Sequence, residues 1–211
     1  MGKPVPRGDC PAGEAPGRPV GGLEGAVFDE GDAGPMTRSL CMVAHPDDCL
    51  VFGYHYILSH RQCRWSIAYL VQKNDSPRVE EMRGYWARHS IGVFSLELPH
   101  DPPPADVTSG RCSIPYHQAR EAIEATVRDY DLVLSHGEAG EYGHPHHIFL
   151  HRILKELGRA FVAFDVGPDA PLRFAAARDD QESLPLHRRA IRRFVRQFDL
   201  ATSAGYRLQT P

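Results

Sequence analysis

Apolar residues along this chain alternate between short dense runs and spaced stripes. Residues 40–44 (Leu-Cys-Met-Val-Ala), 65–71, 93–98, 132–135 and 161–164 are mainly apolar runs of strand length. Between them the spacing changes to that of helices. Residues 49–60 place Leu50, Tyr54, Ile57 and Leu58 on one side, and residues 115–130 do the same with Ala119, Ile123 and Val127. Residues 77–90 open on Pro77, which suits the first turn of a helix. Residues 144–157 and 186–198 also read as helices, the last amphipathic and basic on one face. Strands alternating with helices predict an α/β fold, a mostly parallel sheet with right-handed crossovers and helices on its faces.

The pattern is missing from residues 1–36, where roughly two in five residues are Gly or Pro. Such a segment cannot bury enough apolar surface to offset the entropy of ordering, so a disordered arm is expected there. Residues 37–211 then form a single domain, with a proline-rich loop at 99–110 and no internal repeat.

Composition changes this picture little. A hydrophobic fraction of 42% and a charged fraction of 24% are those of an ordinary soluble protein. A net charge of -3 gives no basis for a nucleic-acid partner. No apolar run approaches the roughly 18 residues of a membrane span, and no secretory signal opens the chain. The five cysteines are odd in number and irregularly spaced, without a C-x-x-C pair. Reduced thiols and a cytoplasmic location are therefore expected, with Cys41 and Cys63 as small buried hydrophobes.

The chemistry is concentrated where strands end. His45, Asp47 and Asp48 follow the first strand, and ligands of open α/β sheets bind at the carboxyl ends of strands. Roughly 95 residues later, Gly143-His144-Pro145-His146-His147 follows the fourth. If the two strands are neighbours, the clusters open onto one edge and can meet. Metal hydrolases commonly hold zinc with three His or carboxylate ligands and leave one position for water. Pro46 restricts the turn, so His45 and Asp48 are presented in a fixed relation. Neighbouring carboxylates do not aim at one point, which assigns Asp48 to the metal and Asp47 to the water as general base. His147, one turn into its helix, is the third ligand. His144 stands on the same face and, like Tyr142, can donate to an oxyanion. Gly137, Gly140 and Gly143 would let this loop approach a ligand. Singly, an Asp-Asp pair is an ordinary helix cap and a histidine run an ordinary solvated face. Their joint placement at matching strand ends favours a metal site.

Ala44-His45-Pro46-Asp47-Asp48 resembles the AHPDDE signature of the LmbE-like or PIG-L-like deacetylases. Gly143-His144-Pro145-His146-His147 resembles that family's GHPDH motif, and Ile91-Gly92-Val93 its LGV step. The resemblance spans about residues 40–157 and implies a Rossmann-like domain with zinc-dependent N-deacetylase activity. It implies a small-molecule aminosugar or glycoconjugate of the N-acetylglucosamine type as substrate. By motif position it implies His45, Asp48 and His147 as zinc ligands, Asp47 as general base and His144 as oxyanion donor. Two residues depart from the motifs: Cys49 stands at the usual glutamate and His146 at the usual aspartate. The chain also ends early for this family, which suggests a homo-oligomer that completes the pocket. Arg78 and Glu81, after the second strand, are candidates for gripping the sugar or an anionic appendage, and Arg78 is taken as substrate-binding.

Two other functions compete. A catalytically weak homologue that binds sugar or assists a partner would accommodate Cys49 and His146. A receiver-like phosphoacceptor module needs an Asp ending the third strand and a Lys ending the fifth; Leu96-Glu97-Leu98 and Phe164-Asp165 do not supply them.

Overall fold

The computed structural model describes residues 36–100, 112–165, 185–187 and 205–209. The expected arm, most of the proline-rich loop and the basic helix after His187 lie outside these residues. Six strands form one sheet: β1 (Arg38–Val43), β2 (Arg64–Tyr69), β3 (Gly92–Ser95), β4 (Leu132–Ser135), β5 (Phe161–Asp165) and β6 (Gly205–Gln209). Their order is β3-β2-β1-β4-β5-β6; the first five are parallel and β6 runs antiparallel to β5. This is the Rossmann-like α/β arrangement.

The strands are apolar almost throughout because both faces of the sheet are covered. Cys41, Val43, Ile67, Tyr69, Leu134 and Phe164 share one core with α1 (Tyr54–Ser59) and α2 (Pro77–Ala87). The alternate residues Leu40, Met42, Ala68, Val133, Phe161 and Ala163 pack with α3 (Tyr116–Val127) and α5 (Pro145–Glu156) on the other side. Trp86, Ile67 and Leu154 are wholly buried, and each such side chain stabilises the fold by roughly 1.5–3 kcal/mol. The remaining helical piece, α4 (Gly140–Gly143), is a short irregular turn between β4 and α5.

Strand order decides where chemistry can occur. From β1 the chain crosses to β2 on one side, while β4 pairs with β1 on the other. The loops leaving β1 and β4 therefore flank the crevice at the reversal of strand order, where α/β sheets bind ligands.

Three local expectations need correction. Residues 49–60 were expected as one α-helix, but Cys49–Gly53 is π-helical and only Tyr54–Ser59 is α. Asp47 carbonyl accepts from both Leu50 N–H and Val51 N–H, so the chain leaves the His45–Asp48 turn under local constraint. All five π-helical residues are buried, and such widened turns recur at functional sites. Second, Cys63 is disulfide-bonded rather than a free thiol, whereas Cys41, Cys49 and Cys112 are free. Pairing follows proximity in space, which irregular spacing along the chain does not encode. Third, β6 was not anticipated, because Gly-Tyr-Arg-Leu-Gln has no apolar run. An edge strand pairs on one side only and needs little apolar content.

Candidate metal centre

The turn after β1 is built around Asp48. Its Oδ2 accepts from the His45 backbone N–H at 2.7 Å and lies 3.2 Å from His45 Nδ1. The same oxygen lies 3.2 Å from His147 Nε2 on the first turn of α5. The ligand atoms of His45, Asp48 and His147 fall within 4.8 Å of one another, so the three expected ligands do converge.

Behind them lies a layer that the sequence reading missed. Glu141 reaches back from α4 with a buried carboxylate. Its Oε2 is 2.5 Å from His147 Nδ1 and 2.8 Å from His136 Nδ1, and its Oε1 accepts from Gly137 N–H at 2.8 Å. The Ala44 backbone N–H donates to His136 Nε2 at 3.0 Å. That bond leaves the ring proton of His136 on Nδ1, where it points at Glu141. The tautomer of His147 follows in the same way. With Nδ1–H given to Glu141, its Nε2 faces Asp48 Oδ2 at 3.2 Å without a hydrogen bond of good geometry, although wholly buried. A buried imidazole nitrogen backed by a carboxylate and aimed at another carboxylate suits a cation between them. His136, Glu141 and His147 also cluster closely enough for a metal. Ala44 N–H already occupies His136 Nε2, however, so this group serves as support.

Electrostatics points the same way. Burial would raise the Asp48 carboxyl, but the His147 and His45 imidazoles outweigh it and hold it well below the usual range. Burial likewise opposes ionisation of Glu141, yet His136 and His147 bring it down to about 2. Burial would lower His147, and the carboxylates of Asp48 and Glu141 instead raise it to about 10. Two buried anions thus keep a positive charge between them, carried by a proton when no metal is present.

The other site residues surround this core. Asp47 Oδ1 accepts from Arg78 at 2.5 Å, and neither residue belongs to the metal-competent groups. Arg78 stands in the first turn of α2, behind the Ser76 cap and Pro77. The structure therefore places Arg78 against Asp47, and its side chain remains 37% exposed. Glu81, one turn on, accepts from Leu186 N–H and His187 N–H at 2.9 and 3.1 Å and pairs with the buried His187 ring. It tethers residues 186–187 to α2 instead of facing a ligand.

His144 caps α5: its Nδ1 accepts from His146 N–H at 3.2 Å, which leaves the ring proton on Nε2. Burial, then the neighbouring His147 and His45, push His144 down to about 2, so it is a neutral donor. Its ring is 4.6 Å from those of both His45 and His147. Tyr142 is half-buried with its ring 5.7 Å from that of His144.

Cys49 does not face the metal-competent groups. Its thiol donates to Pro46 carbonyl at 3.3 Å, accepts from Trp86 Nε1 at 3.3 Å and lies 3.5 Å from Tyr69 hydroxyl. Burial pushes it up to about 12, so without a metal it stays a neutral thiol at neutral pH. The thiol instead ties the turn to the core.

Two of the loop glycines, Gly137 and Gly140, are required by protein packing. A Cβ on Gly137 would sit 2.4 Å from Phe164 carbonyl oxygen, and one on Gly140 would sit 2.7 Å from Ile148 Cγ1 at a φ of +62°. Gly137→Ala should therefore force the β4 loop off β5, displacing His136 and the Glu141 amide contact. A loss of about 1–3 kcal/mol is expected, read from the urea midpoint at unchanged slope.

No family model matches the chain, and no curated protein matches it. Among solved structures it is similar to a deacetylase crystallised with teicoplanin, from that compound's biosynthesis pathway. The identity is 12% and the TM-score 0.45, over 63% of this chain and 71% of that one. A triple mutant of a deacetylase involved in teicoplanin biosynthesis is 11% identical at a TM-score of 0.49, covering 83% and 99%. GalB, the 4-carboxy-2-hydroxymuconate hydratase of Pseudomonas putida KT2440, is 13% identical at 0.49, covering 83% and 97%. Likenesses this distant leave the functional reading to the geometry of the site itself.

Proposed function

We propose that this chain is a zinc-dependent amide hydrolase that removes the acetyl group from an N-acetylglucosamine-type sugar or glycoconjugate. The observation that carries the reading is the buried His147 Nε2, aimed at Asp48 without a hydrogen bond of good geometry and with Glu141 behind the ring. A donor set of two imidazoles and one carboxylate is typical of catalytic zinc, and His45, Asp48 and His147 would hold the ion. Zinc held there would polarise an acyl carbonyl and acidify a water. The protein groups supply the remainder. Arg78 fixes Asp47 through Oδ1, leaving Oδ2 to take a proton from the attacking water and return it to the leaving amine. His144, neutral with its proton on Nε2, donates to the oxyanion that develops at the acyl carbon. Tyr142 stands on the same side as a second donor, and the exposed face of Arg78 is available to a polar or anionic part of the substrate.

Acetate release from a panel of N-acetylglucosaminides, with the chain stripped by chelator and reloaded with zinc, tests the proposal. Zinc-restored acetate release is expected, and His144→Ala should lower kcat by roughly 100- to 1000-fold. Failure to retain zinc after reloading would overturn the reading. Zinc uptake without acetate release from any substrate would make the chain a sugar-binding or partner-assisting module. Among the described residues no helix is long and apolar enough to cross a membrane.

A further inference from the structure

Opposite the metal centre, at the amino ends of β1, β2 and β3, lies a cavity of about 390 Å3. Met36, Cys63 and Ile91 line it, each one or two residues ahead of one of these strands. Ile57, Trp65 and Ile91 are buried and give the cavity an apolar floor. Arg61, Arg64 and Arg88 are exposed around it, and none of the described residues that line it is acidic. An apolar floor ringed by guanidiniums is complementary to a segment with small apolar residues between carboxylates.

Two observations say what covers it. Thr37 carbonyl accepts from Arg64 N–H at 2.9 Å, so the chain is fixed to the cavity wall just where residues 1–35 begin to run backward from the exposed Met36. The arm therefore departs from the cavity itself. Second, Cys63 in the wall is disulfide-bonded while Cys41, Cys49 and Cys112 are free, and of the five cysteines only Cys10 is left as its partner. Cys10 stands in Asp9-Cys10-Pro11-Ala12-Gly13-Glu14, a short stretch of small residues between two carboxylates. The arm as a whole carries six acidic residues against three basic ones.

We propose that residues 9–14 of the arm dock in this cavity, held by a Cys10–Cys63 disulfide and by the carboxylates of Asp9 and Glu14 among Arg61, Arg64 and Arg88. The stretch between Cys10 and Met36 is long enough to return to its own point of departure, since the entropy of closing a loop grows only slowly with length. The arm is then a tied covering of the amino edge of the sheet, at the opposite end of the strands from His45, Asp48 and His147. The inference is independent of the deacetylase reading, and acetate release does not decide it.

The full chain, purified without reductant, is unfolded and alkylated. Three cysteines should take the label before reduction and all five after it, and peptide mapping should join the Cys10 peptide to the Cys63 peptide. Docking is read separately on the native chain, from cleavage after Glu14 by a glutamyl endopeptidase followed by mass spectrometry. Cys10→Ser, a change in the arm that leaves the folded core intact, should be cut there about tenfold faster than wild type. The double variant Arg61→Gln/Arg64→Gln, at two exposed positions, should keep the disulfide and be cut roughly threefold faster. Five labels without reduction, or a Cys63–Cys63 cross-link between two chains, overturns the proposal. Equal cleavage rates in wild type and Cys10→Ser also overturn it, because the disulfide would then be a tether without a docked segment. Equal rates in wild type and the double arginine variant overturn it as well, because the guanidiniums would hold nothing.

Discussion

Asp47→Ala is expected to lower kcat by about 100- to 10,000-fold while the zinc content stays that of the wild-type chain. The separation follows from the turn after β1. Asp48 points inward to His45 and His147, whereas Asp47 points to Arg78 and belongs to none of the metal-competent groups. Removing the Asp47 carboxylate would delete the group proposed to move the proton and leave the ligating atoms of His45, Asp48 and His147 in place. It also frees Arg78, whose side chain is part-exposed and can be solvated, so the fold should lose little. Acetate release and metal analysis on the same preparation check both halves. Turnover within tenfold of wild type would mean that another group takes the proton. Loss of zinc would mean that Asp47, not Asp48, faces the ion.

The convergence of His45, Asp48 and His147 was legible because its parts obey local rules. Strand runs at 40–44 and 132–135 located two loops, proline fixed one turn, and helical spacing put His144 and His147 on one face. Adjacency of β1 and β4 then brought the loops together, which no local pattern specified. Glu141 was missed for a different reason. Its φ of 59° and ψ of -61° lie in a γ-turn region that non-glycine residues seldom adopt. Nothing in Gly-Glu-Tyr-Gly announces that conformation, and a helical or extended Glu141 could not be placed from sequence behind His147. The only signal was a carboxylate inside a glycine-bounded loop that leads directly to His147. His136 escaped notice similarly, because its partner is the backbone N–H of Ala44, roughly 90 positions away. Arg78 was expected to bind substrate; its attachment to Asp47 depends on how α2 packs, which the sequence did not specify.

Glu141→Gln is expected to weaken zinc binding by about 10- to 100-fold and to destabilise the metal-free chain. The glutamate accepts from two imidazoles and one amide; glutamine keeps one acceptor oxygen and brings an NH2 that cannot accept from either ring. His147 then loses the anion that orients it and makes its Nε2 a strong donor to metal. Removing one partner from a buried charge cluster commonly costs 3–5 kcal/mol, and backbone strain of roughly 1–3 kcal/mol at position 141 is left without the bonds that held it. The pH dependence of the chelated chain gives a second readout. Glu141 sits at about 2 in the fold against an ordinary 4.5, so its contribution is complete above 4.5 and is lost as pH falls toward 2. His147 sits at about 10 against 6.5, so its contribution is complete below 6.5 and is lost as pH rises through 10. Wild-type stability without metal should therefore be flat between those ordinary values and fall on both sides. Glu141→Gln should reduce the acid limb to the part that Asp48 contributes and shrink the alkaline one, since Asp48 alone then holds the His147 proton. Urea midpoints across pH on chelated protein check this, and an unchanged acid limb would show that Glu141 is not ionised in the fold. Zinc affinity unchanged in the same variant would place the support of His147 elsewhere, leaving His136 and the Gly137 amide as the only work of that carboxylate.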